Sequence, residues 1–375
     1  MKIGVVCYPT YGGSGVVATE LGKYLSEHGY QIHFISSSQP ERINTLNENL
    51  FYHEVRTASY PLFQESPYVL ALASKMVDVV IHEKIDVLHV HYAIPHASAA
   101  YLAKQILKTK GINIPVVTTL HGTDITLVGK DRSFGPVVEF SINESDVVTA
   151  VSKSLIDETH ANFNITKKIH NIPNFIDLSN FSRQPKDHFK KAICPDNERL
   201  LIHISNFRKV KNTDQVIRVF NEINKIIPSK LLMIGDGPER GECEELCRAL
   251  GTCNDVRFLG KMGAVEEVLS VSDLFLLPSE KESFGLAALE AMACQVPVCS
   301  SNAGGLPELN IDGFSGKVCP IGDINAMVQA AIEILKDDDT LNTYKKNALN
   351  RAKDFDIKRV VTMYENIYKS LVLRS

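Results

Sequence analysis

The chain has 375 residues with 40 Lys and Arg against 44 Asp and Glu, a formal net charge of -4 that argues against a nucleic-acid partner and an acidic disordered tail. A length of 375 residues suits two or three domains, each able to bury its own core. No apolar run approaches membrane-spanning length, Met1 to Tyr8 enters a strand pattern without a cleavable leader, and 8 cysteines lie scattered; the expectation is a cytoplasmic chain with reduced thiols and no membrane partner.

Val- and Ile-rich runs recur at Ile3 to Tyr8, Gln31 to Ile35, Val87 to His91, Val116 to Leu120 and Val147 to Val151, with helical patterns such as Val16 to Leu25 and Ala97 to Leu107 between them. Alternation of this kind predicts a parallel sheet covered by helices. A second series follows at Leu200 to Ser205, Lys230 to Gly235, Val256 to Leu259, Asp273 to Leu277 and Val296 to Ser300. The chain therefore reads as α/β with two Rossmann-like domains. Between them, Ile172 to Asp177 and a polar run through Pro185 and Lys186 form the expected linker, residues 173 to 186. The last helical pattern, Asp356 to Leu373, sets Val360, Val361, Tyr364, Ile367, Tyr368 and Leu371 on one face, which needs a packing partner such as the first domain.

Ligands of open α/β sheets gather beyond the carboxyl ends of the strands, so the loops there carry the functional signal. After the first run comes Gly12-Gly13-Ser14-Gly15, a turn that lets a phosphate or sugar approach the backbone. It is not the dinucleotide fingerprint, and Ser36-Ser37-Ser38 offers no acid for a ribose, which disfavours a dehydrogenase. His89 and His91 share a strand face ahead of Tyr92 and His96, and a place in the core or in support behind a site is the plainer account of the two histidines. His121-Gly122-Thr123-Asp124 ends a run where a histidine can hydrogen-bond a ligand.

In the second series, Arg208 and Lys211 open the segment before a helix, where cations oppose the macrodipole and an anion between them would offset the cost. Asn206 belongs to the same loop; Gly235 to Glu239 and Leu259-Gly260-Lys261 follow as loops able to read a nucleobase edge. In Pro278 to Val298, a buried strand passes through a polar loop into a helix. Ser283 is the expected N-cap, leaving the amides of Phe284, Gly285 and Leu286 to bind an anion. Glu282 and Glu290 bracket that point and suit the hydroxyls of a ligand that also carries phosphates, as a sugar nucleotide does. Ala303 to Glu308 brings another tight turn to the same edge. No metal is assigned: Cys243, Cys247 and Cys253 lack a fourth ligand at zinc spacing, and Asp337-Asp338-Asp339 reads as a solvated turn.

Taken in order, the Gly12 turn, His121-Gly122-Thr123-Asp124, Arg208 with Lys211, Gly235 to Glu239, and Glu282 with Glu290 at Glu-x7-Glu spacing resemble retaining glycosyltransferases of family 4, over nearly the full length. The resemblance implies a GT-B fold whose two parallel sheets face an interdomain cleft. It implies an acceptor-binding domain of residues 1–172 plus 358–375 and a nucleotide-sugar domain of residues 173–357. Within the family, Cys7 to Pro9, Tyr92 to His96, Leu120 to Ile125, Ser205 to Lys211 and Ser279 to Gly285 are most similar to members that transfer N-acetylglucosamine from UDP-N-acetylglucosamine to L-malate, the opening step of bacillithiol synthesis.

By the same resemblance Arg208 and Lys211 hold the donor diphosphate, Glu290 the ribose, and Glu282 with the amides of Phe284, Gly285 and Leu286 the sugar. Asn206 and Lys261 complete the donor group with Gly13. His121 touches the transferred sugar, so that His121, Arg208, Lys211 and Glu282 form the catalytic set. Ser14, Tyr92, His121 and Thr123 are expected at the acceptor. Arg42, Lys75, Lys130 and Arg132 remain unranked as the cation for malate, and Glu139 stands where similar enzymes are expected to carry a basic residue. No cofactor is implied, and a homodimer is the base-rate assembly. A different acceptor, or a UDP-N-acetylglucosamine 2-epimerase, are the rival readings.

Overall fold

Each series of apolar runs forms its own parallel sheet, most of its strands joined by the crossover helices that parallel pairing calls for. The structure is a computed structural model that describes residues 1–10, 13–40, 43, 47–57, 67–127, 129, 131–184 and 187–373. It divides into a first unit of residues 1–174 with 357–375 and a second of residues 175–356.

In the first unit the strands are β1 (Lys2–Val6), β2 (Gln31–Ser36), β3 (Leu50–Glu54), β4 (Val87–His91), β5 (Val116–Leu120), β6 (Val147–Ala150) and β7 (Ile169–Asn171). They run in the order β3-β2-β1-β4-β5-β6-β7, every neighbouring pair parallel. Its helices in chain order are α1 (Ser14–Glu27), α2 (Tyr68–Glu83), α3 (Ser98–Lys108), α4 (Gly135–Glu144) and α5 (Lys153–Asn162). β4 and β5 are buried along their whole length, and the polar side chains within them, His89, His91, Thr118 and Thr119, are buried too. Leu72, Met76 and Val80 of α2 join Leu88, Val90 and Val116 in one core cluster.

The second unit starts with α6 (Asp187–Ile193) and then β8 (Arg199–Ile204), α7 (Thr213–Asn224), β9 (Ser229–Ile234), α8 (Arg240–Leu250), β10 (Val256–Gly260), α9 (Val265–Leu269), β11 (Leu274–Leu277) and α10 (Leu286–Ala293). It continues through β12 (Val298–Ser301), α11 (Leu306–Leu309), β13 (Gly316–Cys319), α12 (Ile324–Leu335) and α13 (Asp338–Ala352). The sheet order is β10-β9-β8-β11-β12-β13, again parallel. Buried Asp273, just ahead of β11, is neutralised by Lys190 at 2.6 Å and Lys345 at 2.7 Å, which ties α6 and α13 to this sheet.

The final helix, α14 (Ile357–Val372), returns to the first unit. Its Tyr364 and Tyr368 are fully buried, and the Tyr368 hydroxyl meets His89 Nδ1 at 2.7 Å. Ile176, in the expected linker, donates its N–H to Phe355 O at 3.0 Å and so belongs to the second unit, while Pro185 and Lys186 lie outside the described residues.

Strands β3, β7 and β13 have no counterpart in the apolar runs. In both sheets strand order reverses beside the first strand, at β1 and β4 and again at β8 and β11. In open parallel sheets, ligands bind beyond the strand ends at such reversal points. No helix among the described residues is long and apolar enough to cross a membrane.

Candidate functional site

At the reversal point of the second sheet, the loop after β8 and the loop after β11 are stitched together. Glu280 donates its N–H to Val210 O at 2.8 Å, and Asn212 Nδ2 donates to Pro278 O at 3.0 Å. Lys211 Nζ then donates to Glu282 Oε2 at 2.5 Å, with the two side chains 19% and 17% exposed. Residues 71 apart in sequence are thus in direct contact. Arg208 caps the same short turn, Lys209–Lys211, and its exposed side chain has no partner among the described residues.

A third loop, after β12, closes on Glu282: Gly305 donates its N–H to Glu282 O at 2.9 Å. Gly304 has φ +49°, and a Cβ there would lie 2.1 Å from Glu282 O, so only glycine allows this approach. Asn206 and Lys261 are exposed at the ends of β8 and β10 without side-chain contact to the Lys211–Glu282 pair.

The helix after this loop begins later than the sequence predicts. Ser283 is not the N-cap; Gly285 is, at φ 101° and ψ 51°, and α10 starts at Leu286. Only glycine holds the left-handed conformation that turns the chain here, and a Cβ would sit 2.7 Å from Leu306. The orphan amides therefore shift to Leu286, Ala287 and Ala288, since Leu289 already donates to Gly285 O. Phe284 points inward, 3% exposed, with its ring edge-on to Phe355 at 5.5 Å. Glu290 lies half-buried about one turn inside α10.

The first unit gathers a second group at its own reversal point. Gly13 caps α1, and buried Ser14 lies with its hydroxyl 2.6 Å from the Tyr92 phenol. Thr123 also hydrogen-bonds that phenol, whose pKa burial pushes up to about 12, so it stays a donor. The Tyr92 ring is 5.2 Å from the His121 ring, which completes the four expected acceptor residues. Gly12 of the turn, and Arg42 and Lys130 among the cations, lie outside the described residues.

Behind these residues stands a layer built on His89 and His91, both fully buried, as the core or supporting histidines that their period-two spacing suggests. His91 Nδ1 is 2.8 Å from His121 Nε2, and His89 stacks on His91 at 4.5 Å. His89 Nε2 meets Thr119 Oγ1 at 2.7 Å. Burial holds these rings neutral: the pKa of His121 falls to about 3 and that of His89 to about 3, while His91 drops well below the usual histidine range. Asp124, 2% exposed, accepts N–H bonds from Ala93 at 2.8 Å and Gly122 at 3.1 Å, locking the Tyr92 and His121 loops together. Burial raises its pKa to about 6 despite those bonds.

Other candidates lie elsewhere. Lys75 pairs with Asp78 at 3.3 Å on α2, and Arg132 is exposed. Glu139 accepts the Asn164 N–H at 2.8 Å, a brace between α4 and the turn after α5 that accounts for an acid at that position.

Residues 11–180 match the family model described as Glycosyltransferase Family 4, and residues 184–351 match that described as Glycosyl transferases group 1. The chain is 48% identical over 370 residues to N-acetyl-alpha-D-glucosaminyl L-malate synthase of Bacillus anthracis, covering 98% of this chain and 96% of that one. An uncharacterized glycosyltransferase of Methanocaldococcus jannaschii is 30% identical over 329 residues, 82% of each chain. Among solved structures, Anabaena HepE in complex with UDP and glucose has a TM-score of 0.83 at 20% identity, covering 99% of this chain and 100% of that one. Sucrose-phosphate synthase from Thermosynechococcus elongatus has a TM-score of 0.82 at 20% identity over 100% of both chains. These structures share the two-sheet architecture, the GT-B fold.

Proposed function

The chain belongs to glycosyltransferase family 4, and we propose that within it this protein transfers N-acetylglucosamine from UDP-N-acetylglucosamine to the hydroxyl of L-malate, with retention at the anomeric carbon. The 48% identical synthase supports that sugar and that acceptor, which makes the reaction the first step of bacillithiol synthesis.

The observation that carries the reading is the meeting of Lys211 and Glu282 at 2.5 Å beside the orphan amides of α10. A cation, a carboxylate and helix-terminal amides at one point suit a ligand that bears both phosphates and hydroxyls. Arg208 and Lys211 take the diphosphate, Glu282 turns to the sugar hydroxyls, and Glu290 holds the ribose. As the bond to the leaving phosphate breaks, negative charge grows on the diphosphate while the sugar becomes oxocarbenium-like. Preorganised cationic donors supply about 3 to 4 kcal/mol each at such a point, against about 0.3 to 2 kcal/mol for a helix terminus. The two basic side chains therefore carry most of the rate, with no metal ion in a catalytic role. The departing phosphate assists in taking the malate proton as the hydroxyl attacks from the same face.

Ser14, Tyr92 and Thr123 offer hydroxyl donors to a dicarboxylate, and His121 one imidazole nitrogen to the sugar. Eight unpaired cysteines support a reducing, cytoplasmic setting, and a homodimer is the proposed assembly.

The test is UDP release from UDP-N-acetylglucosamine with and without L-malate, with mass analysis of the product. Release that depends on malate, with a product mass equal to the glycoside, supports the proposal. Consumption of the donor without acceptor points to the epimerase, and transfer only to other hydroxyl compounds to a different acceptor class. In the same assay Lys211→Ala lowers kcat about 10²-fold or more with little change in KM for malate. A near-wild-type kcat removes Lys211 from the mechanism.

A further inference from the structure

At the edge of the first sheet, outside the loops described above, three side chains with metal-binding chemistry converge. His33 is the third residue of β2 and pairs with Phe51 of β3. His53, two residues further along β3, presents its side chain on the same face. The two rings are parallel within 16° with centroids 5.2 Å apart, and His33 Nδ1 is 3.0 Å from His53 Nε2. Glu83, the last residue of α2, completes the group: one ligand atom from each of the three residues lies within 4.8 Å of the others.

Two of the three residues are unusual as bystanders. His33 is 1% exposed, and its Nε2 has no hydrogen-bond partner among the described residues. Glu83 accepts no hydrogen bond and makes no ion pair among them, yet it stands at a helix C-terminus, where the macrodipole disfavours a carboxylate. A cation beside Glu83 reverses that cost. The other charged groups facing the pair are Lys2, near His33, and Lys75 and Asp78, near His53. Lys75 already pairs with Asp78 at 3.3 Å, which leaves its charge engaged away from Glu83.

The donor set selects the ion. Imidazole and carboxylate together suit zinc and its neighbours, whereas calcium and magnesium require oxygen ligands throughout. Metal–nitrogen bonds of about 2.0 to 2.1 Å in a tetrahedron put ligand atoms roughly 3.3 Å apart. The histidine nitrogens are already within 0.3 Å or so of that spacing, and the glutamate side chain closes the rest by rotation. Burial favours neutral rings, which is the ligand form.

We propose that His33, His53 and Glu83 form a binding site for one divalent transition ion of the zinc class, with water in the open position. The ion clamps edge strand β3 and the end of α2 to β2. No sequence spacing reveals such a site, because its residues are 20 and 50 positions from His33 and come together only through strand pairing.

The experiment uses the full chain, stripped with a chelator and titrated with Zn²⁺ alone, with Co²⁺ as the spectroscopic probe. The wild-type chain binds one equivalent, Co²⁺ develops the visible absorption of a four-coordinate site, and Zn²⁺ raises the thermal midpoint. His53→Ala and Glu83→Gln, both at partly exposed positions, each weaken binding at least tenfold and abolish the thermal shift. Glu83→Gln keeps the shape of the side chain, so it separates loss of a ligand from loss of the fold. Equal Zn²⁺ affinity in the wild type and in the His53→Ala, Glu83→Gln double variant overturns the proposal, as does absence of stoichiometric binding by the wild type.

Discussion

Glu282 shows how a single side chain is placed by its neighbours' backbones. Its carbonyl is held by the Gly305 amide at 2.9 Å, and its carboxylate meets Lys211 at 2.5 Å, so any shift in the loop after β12 moves the carboxylate. Gly304→Ala tests this directly. The new Cβ would sit 2.1 Å from Glu282 O on a backbone of φ +49°, a strain of about 1 to 3 kcal/mol. The expected outcome is a lower thermal midpoint together with a raised KM for the sugar nucleotide. Unchanged kinetics would mean that Glu282 does not touch the donor. The sequence made Lys211, Glu282 and Gly304 legible as separate signals at strand ends, but not the contact that joins them. Ser283 misled because a serine before an apolar helix is a good cap by type, whereas the left-handed turn at Gly285 determines where α10 starts. Asp124 went without a role because its partners are backbone amides 31 and 2 residues away, which leave no pattern of side chains to read.

At the scale of elements, what escaped the sequence has a common cause. β3, β7 and β13 are all edge strands, two in the first sheet and one in the second. Burial is limited to Leu50 in β3, to Ile169 in β7 and to the two ends of β13, so none of them shows the buried Val- and Ile-rich run of the central strands. α14 is the opposite case: its stripe was plain, since Val360, Val361, Tyr364 and Tyr368 all had to be buried. What it covers follows from the structure, where Tyr368 donates to or accepts from His89 Nδ1 at 2.7 Å inside the first unit. Tyr368→Phe keeps the ring and leaves a buried imidazole nitrogen without a partner, at a cost of about 1 to 3 kcal/mol. Urea unfolding reads that loss as a lower midpoint at constant slope. A midpoint equal to wild type would show that the phenol contributes nothing to docking the helix.

Over the whole molecule, acid should separate the two units. Each has its own core, so each is expected to unfold in its own transition. The first unit stacks neutral histidines: His89 and His121 titrate near 3, His96 near 4, and His91 well below the ordinary value, chiefly through burial. The second has a single such ring in its core, His203, with a pKa of about 4. In the unfolded chain every one of them takes a proton near pH 6.5. Their contribution to stability is thus complete above about pH 6.5 and is lost as pH falls toward the folded values, at up to about 1.4 kcal/mol per pH unit for each ring. Asp124 opposes this, because its raised pKa of about 6 lets the folded form gain a proton first and adds stability on acidification. One carboxyl against these four rings, with His33 and His53 lowered by burial as well, leaves the balance with the histidines. Calorimetry at pH 7 and pH 5, with UDP added to raise and so label the second unit's transition, should show the first unit's midpoint dropping by at least about 5 °C more than the second's. Equal displacement of both transitions would mean that the buried histidine stack reaches water in the folded protein.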